Sequence, residues 1–183
     1  MIYLLEDTNH SIIRHESAPR TGEIIVPNGF AVIGQEDEVN PLGLDISIHS
    51  WNGVELVIDP IKFQASLPAK QKIKWEEIKR ERDRRSFNGI FISGKWIHTD
   101  LASRVQWMAM FMMGVNLPRI PWKTMDGTYI DTVPTLATAV FQGVANQDVI
   151  LFGIANWHKT QMELSLDPIN YNYSNGWPAT FAI

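Results

Sequence analysis

The sequence predicts an α+β protein: a small β-rich N-terminal domain, a polar connecting helix, and a compact, mainly helical C-terminal domain with two β-hairpins. Three observations predict it. Charge divides the chain, with three basic against ten acidic residues in 1–67 and thirteen against ten in 68–183, the break falling near Ser66-Leu67-Pro68. Turn signals cut both ends into short apolar runs, as hairpins require. Between them lies one densely charged stretch of helical composition, residues 70–85. The expected domains are 1–67, the connecting helix 68–86, and 87–183. Apolar residues make up 45% against 20% charged, a globular balance that excludes wholesale disorder.

In the N-terminal part, Ile2-Tyr3-Leu4-Leu5 is a short apolar run. Residues 23–26 end at Pro27-Asn28-Gly29, a turn signal, and residues 30–33 follow. Over 45–59, Ile46, Ile48, Val54, Leu56 and Ile58 alternate with polar residues around Asn52-Gly53. Asn-Gly supplies the positive φ of a type I′ hairpin turn. A domain of about 67 residues buries little core, so it leans on a neighbour or a partner chain.

Residues 72–85 hold seven basic and four acidic residues, with Glu76–Arg80 and Glu81–Arg85 attractive and Glu77–Glu81 repulsive at i,i+4. Only Ile73, Trp75 and Ile78 are large and apolar. So polar a helix is expected to cross solvent or lie against a partner, exposed in the isolated monomer. The interleaved acids argue against a nucleic-acid arm.

The C-terminal part opens with a hairpin, Ile90-Phe91-Ile92 returning through Ser93-Gly94 to Lys95-Trp96-Ile97-His98. Thr99 or Asp100 caps a helix over Leu101–Met113, ended by Gly114. Every residue from 107 to 113 is apolar, which predicts burial on all or three sides. Residues 122–130 form a second hairpin with a two-residue Asp126-Gly127 turn. Pro134 starts a helix with Leu136, Val140 and Val144 on one stripe and Ala137 and Phe141 beside it. Asn146 or Asp148 caps another, roughly 148–164, with Phe152, Trp157 and Met162 as core, stopped by Asp167-Pro168. The aromatic tail 171–178 must pack on something to be ordered.

Composition narrows function further. There is no cysteine, which excludes disulfides and thiolate metal sites. A net charge of −4 does not suit general nucleic-acid binding. The charge-free run 105–118 is too short to span a bilayer, and the N-terminus lacks a basic export signal, so synthesis and folding in a cytoplasm are expected.

No catalytic pattern stands out. The histidines, at 10, 15, 49, 98 and 158, show no metal-ligand spacing. His98 and Asp100 alternate at a strand end, but two ligands do not make a metal site. There is no nucleophile elbow and no phosphate-cradling loop. Asp126 and Asp131 are conceivable as a facing carboxylate pair, although Asp126 already serves the turn. No catalytic residue, cofactor or metal is expected. Seven tryptophans invite a glycan-binding reading, against which stands packing. Trp96, Trp107 and Trp157 fall in core patterns. Trp51, Trp75 and Ile78 are the candidate partner-binding residues, the first before a turn and the others on the polar helix.

A series of motifs gives a more specific lead: Glu81-Arg82-Asp83-Arg84-Arg85, Phe87-Asn88-Gly89, Gly94-Lys95-Trp96-Ile97-His98-Thr99-Asp100, Ser103-Arg104-Val105-Gln106, Trp122-Lys123-Thr124-Met125-Asp126-Gly127, and the terminal stretch with Gly176-Trp177-Pro178. In this order they resemble a domain family of unknown function found at the C-terminus of many tailed-bacteriophage and prophage tail-fibre, tail or tail-fibre-assembly proteins. The resemblance covers about residues 72–183. It implies a non-enzymatic tail protein made in the host cytoplasm, an adaptor or structural component of the tail tip, baseplate or fibre attachment. The alternatives are a tail-fibre assembly chaperone and a glycan-binding tail protein. The implied partners are other tail or fibre proteins, with a homo-oligomer conceivable, and neither nucleic acid nor an inserted membrane segment.

Overall fold

A computed structural model of the protein describes residues 2–6, 12–15, 30–35, 39–40 and 42–181. It is α+β and divides into two compact units, residues 1–69 and 70–183. Residues 23–29, expected to hold a strand and a turn, lie outside the described residues.

In the first unit, β1 (Ile2–Glu6) is the centre of an antiparallel sheet between β2 (Ile12–His15) and β3 (Phe30–Gln35). The β1–β3 register shifts between Tyr3 and Leu4, a bulge of the kind that increases local twist. A hairpin of β4 (His49–Trp51) and β5 (Leu56–Ile58) follows. Its loop differs from the expected type I′ turn. The strands part after the Trp51–Leu56 pair, and Asn52 closes a longer connection, its side chain accepting from the N–H groups of Val54 and Glu55. The small core comprises Ile12, Val39 and Leu56, with Ile33, Ile46 and Trp51 packed against it.

Helix α1 runs over Pro60–Ser86, starting ten residues earlier than residues 70–85 suggested. Asp59 Oδ1 accepts from the N–H groups of Ile61 and Lys62, and Pro60 sits at the first position, where a missing N–H costs nothing. Pro68, read as a break, is inside the helix.

Within the second unit, β6 (Ile90–Ile92) and β7 (Lys95–Ile97) pair around Ser93 and Gly94, both at positive φ as a type I′ turn requires. Helix α2 (Leu101–Met113) begins at the Asp100 cap, whose side chain accepts from the Ser103 N–H, and ends at Gly114. Strands β8 (Pro121–Lys123) and β9 (Tyr129–Asp131) form the other hairpin. Gly127, at φ 80°, donates to the Thr124 carbonyl, and Thr124 N–H donates to the Thr128 carbonyl. The loop is therefore three residues, Met125-Asp126-Gly127, rather than two.

Helix α3 (Pro134–Glu163) is one continuous helix where two were expected. Neither Asn146 nor Asp148 caps anything. The Asp148 carboxylate bonds sideways to Arg104 and Ser86. Gly143 lets α3 approach β6 closely, since a Cβ there would come within 2.8 Å of Ile92 Cδ1. Among the described residues, no helix is long and apolar enough to cross a membrane.

Two cores hold this unit. One comprises Ile97, Trp107, Met110, Leu117, Leu136, Ala137 and Val140. The other comprises Ile78, Ala155 and Met162, against which Trp75, Tyr171, Tyr173 and Trp177 pack. The aromatic tail thus finds its support on α1 and α3.

The second core corrects the reading of α1 as an exposed connector. Lys74, Ile78, Arg82 and Arg85 recur at steps of four, four and three, with Trp75 three before Ile78, and share one face. Ile78 is fully buried. The charged members serve as apolar stems and cations over rings: Lys74 Nζ lies 5.4 Å from the Tyr173 ring, Arg82 4.2 Å from Phe152, and Arg85 5.5 Å from Trp177. Such contacts let a polar helix pack. Ile78→Val should destabilise the protein by about 1 kcal/mol in urea titration, whereas a solvent-facing residue would give a change near zero.

Candidate interaction surface and the network behind it

Ser86, Thr99, Arg104 and Asp148 tie α1, α2 and α3 together. Arg104 donates to both oxygens of Asp148, at 2.6 and 3.1 Å, a bidentate geometry. It also donates to the Ser86 carbonyl at 2.7 Å and the Thr99 carbonyl at 2.7 Å. Ser86 Oγ donates to Asp148 at 2.7 Å. Thr99 Oγ1 donates to the Ser86 carbonyl and accepts from the Gly89 N–H. Burial works against the Asp148 charge, but the Arg104 guanidinium and Ser86 hydroxyl outweigh it and hold the carboxyl below the usual range.

Asp126 is tied just as closely. It accepts from the hydroxyls of Thr124 and Thr128, the Thr128 N–H, and Lys95 Nζ at 3.2 Å. The Thr124 hydroxyl leads in pulling its carboxyl well below the ordinary range. Asp131 instead pairs loosely with Arg119, at 3.7 Å. The two carboxylates thus have separate partners.

His158 is buried, with Nε2 facing the Asn175 carbonyl at 2.8 Å and Nδ1 facing the Tyr171 hydroxyl at 2.9 Å. A carbonyl only accepts, so Nε2 carries a proton; in the neutral ring, Nδ1 accepts from Tyr171. The ring stacks on Trp177 and meets Trp157 and Tyr171 edge-on, pinning the tail. His98 and Asp100 share no ligand geometry, because the Asp100 carboxylate is committed to Ser103. Among the described residues, no three His, Cys, Asp or Glu side chains are placed to hold a metal.

The sequence-derived partner residues belong to different units. Trp51 packs on the core of the first unit. Trp75 is half-buried in the second unit, with Lys79 and Lys159 over its ring. Ile78 is enclosed and offers no surface, which corrects its assignment as a contact residue. Trp96 is half-buried, and Phe152 and Trp157 are exposed rather than core.

The open apolar surface lies on α2. Only Ser103, Trp107 and Met110 of this helix are buried, so the expected burial of 107–113 on all or three sides is corrected. Leu101, Val105, Met108 and Met112 are 71, 54, 44 and 77% exposed, and Val115, beyond the Gly114 end of the helix, is 92% exposed. The helical steps of four, three and four from Leu101 to Met112 make a stripe opposite the buried face. Phe111 and Phe141, both exposed, stack at 4.5 Å and 4° and extend the stripe onto α3. Phe111 meets Phe141 while Arg104 meets Asp148, so α2 and α3 run antiparallel. The four-three spacing was legible in the sequence, but the unbroken apolar run hid which face would be covered.

Residues 68–175, more than half of the chain, match the family described as a domain of unknown function (DUF4376). Comparison with curated proteins and with solved structures yields no match. The chain therefore belongs to the DUF4376 family.

Proposed function

We propose that this chain is a non-enzymatic bacteriophage tail protein, a structural adaptor of the tail tip, baseplate or fibre attachment. The exposed apolar stripe of α2 is the observation that carries this reading, because large apolar patches mark sites of protein association. The polar residues of the motifs support it. Arg104, Asp100, Asp126 and Thr99 are engaged with neighbouring protein groups in a rigid scaffold. The phage setting rests on the resemblance of the ordered motifs, and family membership over 68–175 agrees with where that resemblance lies.

Mass spectrometry of purified particles from cells expressing the gene tests the proposal. The adaptor reading expects the protein in finished particles at a fixed ratio to a tail component, and its deletion to release fibres. Presence in the lysate with absence from particles would turn the reading to the assembly chaperone. Turnover of a glycan by the pure protein, abolished by single polar substitutions, would overturn both.

A further inference from the structure

We infer that the exposed face of α2 is a dimer interface, occupied by the same face of a second copy of this chain. Three observations point to self-association. The first is area. Leu101, Val105, Met108, Phe111, Met112 and Phe141 are each 38–77% exposed, and residues of this size exposed to that extent present together roughly 700 Å², near what each partner contributes to a standard protein interface. Isolated monomers rarely carry an apolar patch larger than about 300–600 Å².

The second observation is periodicity. The stripe from Leu101 to Met112 repeats at heptad offsets, and buried Ser103 and Met110 lie on the opposite side of the helix. A row of this spacing fits between the knobs of an identical row. It spans about 17 Å at 1.5 Å per residue, about one and a half heptads of contact.

The third is charge. No ionisable residue lies in the stripe, and the flanking positions on the helix are Ala102, Arg104, Ala109 and Phe111. The one charged flank, Arg104, is held by Asp148. Meeting its own copy therefore brings no uncompensated like charges together, and the face offers no charge pattern with which to select an oppositely charged partner. An isologous, two-fold pairing satisfies all three observations.

The inference draws on the same α2 stripe as the tail reading, but the two are tested separately. A monomer found in phage particles would remove the dimer and leave the adaptor standing, whereas a dimer absent from particles would do the reverse.

The full chain at micromolar concentration, measured by light scattering after size exclusion, should have twice the mass of one chain. Val105→Glu with Met112→Glu should halve that mass while the circular dichroism of the folded protein persists, because both side chains point away from the core. Since the chain has no cysteine, a single introduced thiol is a clean reporter. Met108 lies near the middle of the stripe, so two copies bring their 108 positions close together whether the helices run parallel or antiparallel. Oxidised Met108→Cys should form a covalent dimer, and Lys72→Cys, on the exposed side of α1, should not. A one-chain mass for the wild type, an unchanged mass for the folded double variant, or equal crosslinking at both cysteine positions would each overturn the inference. Should the glutamates prevent folding, the cysteine pair decides alone.

Discussion

Trp107→Ala is expected to destabilise the second unit by about 3–5 kcal/mol, read as a lower urea midpoint at unchanged slope. Trp107 is almost wholly buried between α2, β7 and α3. Its ring lies 4.7 Å from that of Trp122, so it also anchors the β8–β9 hairpin. Truncation removes the largest fully buried side chain and leaves a cavity lined by residues of three elements. Met112→Ala on the same helix should change stability by less than about 0.5 kcal/mol, since Met112 is mostly exposed. Equal costs for the two would contradict the division of α2 into a covered and an open face.

Arg104→Ala is expected to cost about 2–3 kcal/mol, because it leaves Asp148 and the Ser86 and Thr99 carbonyls short of donors in a partly buried site. Arg104→Lys should recover only part of this, since an ammonium cannot make the bidentate contact. The network also sets an acid dependence. The folded Asp148 carboxyl is held below the unfolded value of about 3.9, so the unfolded state binds the proton more readily. Its contribution is therefore present above about pH 4 and is lost as pH falls from there through the lower folded value. Asp148→Asn should flatten that part of the stability–pH profile, measured by urea unfolding between pH 3 and 6. A profile identical to wild type would show that Arg104 and Asp148 are not coupled.

Local chemistry explains which elements the sequence disclosed. Ser93-Gly94 dictates its hairpin because few residues tolerate consecutive positive φ. Asp100 and Gly114 bound α2 because a carboxylate cap and a glycine end act on the nearest turn. Elsewhere the same local rules misled. Asp59-Pro60 was a helix start read as the end of a strand. Asn146 and Asp148 had the composition of a cap but were kept in α3 by contacts to β6, Ser86 and Arg104. Ile78 belonged to a core whose other members lie about eighty residues away, on α3.

From the sequence alone came the α+β class, the hairpin and cap positions, the charge asymmetry and the resemblance that covers the second unit. Each of these is a property of neighbouring residues or of composition. Tertiary structure alone decided which side of an apolar helix is covered. In α2 both faces are apolar, so hydrophobicity does not distinguish them, and only the arrival of Ile97, Trp122 and Val140 commits one face to the core. The same applied in reverse to α1, where aromatic rings from α3 and the tail turned a charged stripe into a packing face. Burial depends on what arrives from elsewhere in the chain, and no local pattern records that.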